Sequence, residues 1–185
     1  MTFHEGTNGR VAVLLPGAYY TPNHPLLYFA RQVLLAHGWS VEEVWWSSDD
    51  LDEFQRLGWA ASGVIRTARA ALDKVADRNP LVVAKSLGTL AMPMVAERGW
   101  PAIWLTPLLT RPELVTALKA STGKTLLVGG TADDYWDSSI ANSSGHQVLE
   151  MQGAHHGLEI AGDPSASVRL LGEIVVAMET FVEAL

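Results

Sequence analysis

Leu81-Val82-Val83-Ala84-Lys85-Ser86-Leu87-Gly88-Thr89 joins a strand to a helix through a serine. The apolar run from Leu81 to Ala84 reads as a strand buried on both faces. After Ser86, Leu87, Leu90, Ala91, Met94 and Val95 recur at helical spacing. A serine at such a junction, with glycine two residues on, has the form of a nucleophile elbow, Gly-x-Ser-x-Gly. Here Ala84 stands in place of the first glycine. Small residues are needed because the turn brings strand and helix backbones close together. The new helix N-terminus also directs free N–H groups and partial positive charge toward the serine oxygen. The plainer alternative is that Ser86 is only a helix N-cap.

Outward from this junction, strands alternate with helices. Residues 11–15 form a first buried strand and run into Pro16-Gly17-Ala18-Tyr19-Tyr20, a turn with exposed N–H groups. A helix carries the stripe Leu26, Leu27, Ala30, Val33, Leu34 and stops at Gly38. Residues 41–46 hold a second strand. A long helical stretch runs over 51–77, weakened by Gly58 and Gly63. The elbow strand is third, and its helix extends to about Arg98, with Pro93 badly placed inside it. Strands four to six lie at 102–105, 125–128 and 147–151. Pro112 opens a short helix through Ala120, and a short polar helix covers 137–142. The last helix starts at Asp163-Pro164, with the stripe Leu171, Ile174, Val175, Met178, Phe181, Val182, Leu185.

This alternation predicts a single α/β domain over residues 1–185: a doubly wound, six-stranded parallel sheet with helices on both faces. With strands numbered along the chain, the expected order is 2-1-3-4-5-6. The connections after strands one and three then leave in opposite directions. They open a crevice at the carboxyl ends of the strands, and the Pro16-Gly17-Ala18 turn and Ser86 both border it.

The 185 residues are 48% hydrophobic, enough for one sizeable core. The net charge of −7 and the lack of a basic run argue against nucleic acid as a partner. There is no cysteine, so disulfides and thiolate chemistry are excluded. No apolar run reaches the roughly 20 residues of a membrane span, and Met1 to Arg10 is polar. The expected location is cytoplasmic.

A serine nucleophile needs a base. Of six histidines, His156 is favoured, because it lies in the glycine-flanked loop Gly153-Ala154-His155-His156-Gly157. Three strand spacings span roughly 14 Å, and five extended residues from Met151 reach roughly 16 Å. The alternative is a pair of solvated loop histidines; as a metal site the pair lacks a third ligand. Asp133 and Asp134 follow the fifth strand and supply a carboxylate, or serve only as turn residues. Serine, aspartate and histidine then follow the nucleophile–acid–base order of one class of serine hydrolases.

Four segments carry a resemblance to a known family: 14–18, 84–88, 130–133 and 154–159. On these the chain resembles the α/β-hydrolase superfamily, in its small, lidless, bacterial esterase-like form, over nearly all of its length from Val11. The resemblance implies a minimal α/β-hydrolase fold, no cofactor and no metal. It implies a serine hydrolase of carboxylic esters or related small acyl compounds. It selects Asp133 over Asp134 as the acid and His156 as the base. It implies oxyanion N–H donors from Leu87 and from Ala18, or from Tyr19 if the turn is shifted. Tyr19, Tyr20, Tyr135 and Trp136 lie on loops at the expected mouth, to line a substrate pocket or only to pack its rim. The superfamily's two N-terminal strands are expected to be missing. The competing expectation is a binding or regulatory protein on the same scaffold with an idle triad; fold alone does not decide. The sequence does not fix the oligomeric state.

Overall fold

The computed structural model describes residues 1–58 and 62–185. Its strands are β1 (Thr2–His4), β2 (Val11–Leu15), β3 (Ser40–Glu43), β4 (Leu81–Lys85), β5 (Ala102–Leu105), β6 (Thr125–Gly130) and β7 (Gln147–Met151). They form one sheet in the order β1-β3-β2-β4-β5-β6-β7. This corrects the six-strand expectation in count and, through a strand added beyond β3, in overall order; β3-β2-β4-β5-β6-β7 keep the relative order expected for the six. The added strand, β1, pairs antiparallel with β3 through Thr2–Glu43, Phe3–Glu42 and His4–Val41. It also corrects the expectation that no N-terminal strand precedes Val11. The other neighbours are parallel.

The sheet has helices on both faces. Ala12, Leu14, Leu81, Val83, Ile103, Leu105, Leu126 and Val128 pack against α1 (Pro25–Ala36) and α7 (Pro164–Glu183). Val11, Val13, Leu15, Val82, Ala84, Trp104 and Leu127 pack against α3 (Gly63–Asp73), α4 (Met92–Glu97) and α5 (Pro112–Ala120). Alternate residues of one strand thus feed opposite cores. That is why β2 is apolar along its whole length, β4 is apolar up to its closing Lys85, and both are buried at every residue.

Two helices differ from expectation. The stretch over 51–77 is divided. A first helix, α2 (Ser48–Leu57), carries a Ser47–Asp50 capping box, and α3 starts at Gly63. A 3₁₀ turn follows at Ala76–Arg78; residues 59–61 of the expected helix lie outside the described residues. The elbow helix is also in two pieces. Ser86–Ala91 is 3₁₀, and α4 begins only at Met92. Pro93 therefore occupies the first turn of a new helix, where its missing N–H costs nothing. The connection after β5 carries the nine-residue α5 and no larger insertion among the described residues, and the short polar helix after β6 is α6 (Ser138–Asn142). Likewise, no described helix is long and apolar enough to cross a membrane.

Candidate active site

The site is built where strands end. β4 stops at Lys85, and Ser86 turns the chain with φ of 50°. A left-handed serine costs of order 1–3 kcal/mol and persists only where its surroundings hold it. The Thr89 hydroxyl donates to the Ser86 carbonyl at 2.6 Å. Gly88 lies on the end of β2: a Cβ there would stand 2.4 Å from the Leu15 carbonyl oxygen. Ala84, at the place of the usual first glycine, is fully buried in the core toward α3 and α4. A methyl group is accommodated there.

β6 ends in Gly129-Gly130, and both glycines are required by contact. A Cβ on Gly130 would meet the Ala154 carbonyl oxygen at 2.1 Å, and one on Gly129 would enter the Trp136 indole. Backbone bonds from Thr131 to Met151 and from Ala132 to Ala154 lace this turn to the loop after β7. Asp133 Oδ1 accepts from the Tyr135 N–H at 2.9 Å, and Oδ2 lies 2.8 Å from His156 Nδ1. The Asp133 side chain is wholly buried, whereas Asp134 is exposed.

His156 Nε2 lies 2.8 Å from Ser86 Oγ. A carboxylate only accepts, so Nδ1 carries the proton and Nε2 is left to accept from the serine hydroxyl. The loop that delivers His156 is folded rather than extended, with Gly153 at φ 74°. His155 turns away: its Nδ1 accepts from the Gly157 N–H at 2.9 Å, and its Nε2 lies 3.9 Å from Glu159. Tyr135 packs its ring edge-on to the imidazole, with centroids 5.1 Å apart.

The Pro16–Tyr20 turn faces Ser86. A Cβ on Gly17 would lie 3.6 Å from Ser86 Cβ. The turn is closed by the Gly17 N–H donating to Tyr20 O at 3.1 Å. It is held from behind by the Trp46 indole, which donates to the Pro16 and Gly17 carbonyls. Among the described residues, no carbonyl or side chain takes the Ala18 or Leu87 N–H. Tyr19 is exposed, and its hydroxyl accepts from Gln55. Tyr20 is partly buried; its oxygen accepts from the Leu26 N–H, and burial pushes its phenol up to about 12. Trp136 corrects the expectation of a mouth residue. It is buried over Gly129, with its indole donating to Glu150 at 2.6 Å.

Beside the histidine loop, a cavity of about 140 Å³ is bordered by apolar side chains, Leu26, Leu158, Val168 and Leu171 among them, and by Glu159 and Ser167. Sequence reasoning passed over Trp46 and Lys85. Trp46 carries no pattern that marks it as a brace for a turn thirty residues away. Lys85 did carry a signal, as a charged residue at the end of a buried apolar run.

No protein-family model and no curated protein matches the sequence. Solved structures do. An α/β serine hydrolase homologue from Coxiella burnetii is similar over 97% of this chain and 89% of its own, at TM-score 0.72 and 12% identity. An α/β serine hydrolase without a lid from Xanthomonas campestris is similar over 97% and 84%, at TM-score 0.67 and 15% identity. Est1E from Butyrivibrio proteoclasticus, solved with ferulic acid bound, is similar over 99% and 93%, at TM-score 0.71 and 12% identity. With its mostly parallel sheet, its sharp turn at Ser86 and these neighbours, the chain has the α/β-hydrolase fold.

Proposed function

We propose that the chain is a serine hydrolase of small carboxylic esters or related acyl compounds. The observation that carries this reading is the run of contacts Asp133–His156–Ser86, with 2.8 Å at both links. His156 Nε2 takes the Ser86 proton as Oγ attacks the acyl carbon. The carbonyl π pair moves onto oxygen, and the Ala18 and Leu87 N–H groups are the candidate donors to that oxyanion. Collapse expels the alcohol, which receives its proton from His156, and leaves an acyl-serine. Water then gives a proton to His156, attacks the acyl carbon, and releases the acid; Ser86 recovers its proton. Asp133 holds the imidazole in the tautomer this needs.

The test is hydrolysis of p-nitrophenyl acetate and labelling by a fluorophosphonate. Ser86→Ala should lose both, with turnover down roughly 10⁴-fold or more, while its circular dichroism is unchanged. A folded Ser86→Ala protein that still hydrolyses the ester overturns the mechanism. A wild-type protein inert to both reagents would instead favour a binding role on this scaffold.

A further inference from the structure

The mechanism above gives Lys85 no task, yet Lys85 is 4% exposed and one residue from Ser86. Burying an ammonium is costly. Among the described residues its amine makes neither an ion pair nor a hydrogen bond. Its Nζ sits over the Tyr20 ring, 5.1 Å from the centroid. Its stem lies along Gly17, with Cδ 3.2 Å from where a Cβ would be. Lys85 therefore touches both ends of the Gly17–Tyr20 turn, with Ala18 between them.

We propose that Lys85 is a positioning residue whose ammonium, seated on Tyr20, holds the Gly17–Tyr20 turn against the end of β4 and so keeps the Ala18 N–H aimed at the acyl oxygen. This rests on the serine-hydrolase reading. An aromatic face attracts the ammonium and not the neutral amine. Burial lowers Lys85 to about 8, against the opposing pull of the Asp133 charge. The groups that face this clamp are Tyr20 from the turn after β2, Asp133 from the turn after β6, His156 beside Asp133, and Glu159 toward Tyr20. Tyr20, pushed up to about 12 by burial, stays neutral here. As pH rises through about 8, Lys85 loses its proton and the turn is released.

The experiment follows kcat/KM for p-nitrophenyl acetate and the rate of fluorophosphonate labelling against pH. It compares the wild type with Lys85→Met, Lys85→Arg, Tyr20→Leu and the Lys85→Met/Tyr20→Leu double variant. The wild type should lose activity on a basic limb near pH 8. Lys85→Met should lower kcat by about tenfold, leave KM within about twofold, and show no such limb. Lys85→Arg should restore most of kcat and also lack the limb, because guanidinium stays charged. The double variant should be no worse than the poorer single. A Lys85→Met protein with wild-type kcat and an intact limb overturns the proposal, as do single effects that multiply in the double variant. If Lys85→Met does not fold, a Lys85→Arg protein that keeps the wild-type limb overturns it equally. Ser86→Ala, run alongside, separates the two levels. An active Ser86→Ala enzyme ends the hydrolase reading, whereas an inactive one beside a wild-type-like Lys85→Met ends this proposal alone.

Discussion

A methyl group at position 88 has no room: it would stand 2.4 Å from the backbone oxygen of Leu15, in a strand that is buried at every residue. Gly88→Ala should cost roughly 2–3 kcal/mol, read as a lower urea midpoint, and should displace Ser86 enough to depress turnover. The glycine at this end of the motif is fixed by contact, whereas Ala84 at the other end meets a core that accepts it. The same local logic separates two adjacent aspartates. Asp133→Asn should lower kcat roughly 10⁴-fold, because an amide facing Nδ1 favours the wrong tautomer. The exposed Asp134→Asn should stay near wild type, and the reverse result would move the acid by one residue. Lys85 carries a stability prediction of its own. Its folded-state value lies near 8, below the unfolded 10.5. At pH 7 both states are charged and the burial penalty is fully present. Between about 8 and 10.5 the folded chain has lost the proton that the unfolded chain keeps, so stability rises with pH across that window. Lys85→Met should remove the penalty, gaining up to roughly 3 kcal/mol at pH 7, and should flatten that rise. A variant more stable yet less active is the outcome expected if the buried charge serves the site.

Elements differ in how plainly the sequence announces them. β2 and β5 are continuous apolar runs and β4 and β6 contain such runs, Leu81 to Ala84 and Leu126 to Val128, because both faces are covered, and they are legible as such. β1 is not: Thr2-Phe3-His4 is mostly exposed and joins the sheet through its backbone, which leaves no hydrophobic period. The meeting of the candidate residues was legible for a topological reason, since Ser86, Asp133 and His156 each follow the carboxyl end of a strand. The fold of the histidine loop was not legible, because contacts between loops set it: Gly130 against Ala154, and Thr131 bonded to Gly153. Trp136 went astray similarly, since the space for its indole is made by the missing side chain of Gly129. β3 hides a further feature, two buried carboxylates. Glu43 pairs with Arg31 and lies 3.3 Å from His4, and Glu42 pairs with Lys74 at 3.0 Å. Arg31→Met should cost roughly 3 kcal/mol, because it strips Glu43 of its close cation while leaving the carboxylate buried. Adding Glu43→Met should recover much of that loss. Urea midpoints of the two variants check this, and a double variant as weak as the single would mean that packing, rather than charge, fixes Arg31.

Across the whole molecule, the candidate chemistry and the N-terminal edge are well separated. β3 and β2 stand between β1 and β4, which carries Ser86. β1 is three residues long, yet it covers the outer edge of β3 from Val41 to Glu43 and brings His4 to Glu43. The residues after it tie down the same edge, with the Thr7 and Asn8 N–H groups donating to Gly38 and the Gly6 N–H to Ser40. An uncovered β3 would present unpaired N–H and C=O groups, a template for another chain. Deleting residues 1–5 should therefore lower stability and raise association together. A loss of about 1–2 kcal/mol lowers Tm by roughly 2–8 °C in a chain of this size. Size-exclusion chromatography over a concentration series should show association beyond that of the full chain. Ester turnover per folded molecule should change by less than about twofold, since the Ser86–His156–Asp133 contacts lie on other strands. A truncated chain with unchanged Tm and elution would mean that β3 needs no cover. One that keeps its Tm but loses turnover would mean that the N-terminal edge reaches the site by a route the sheet order does not provide.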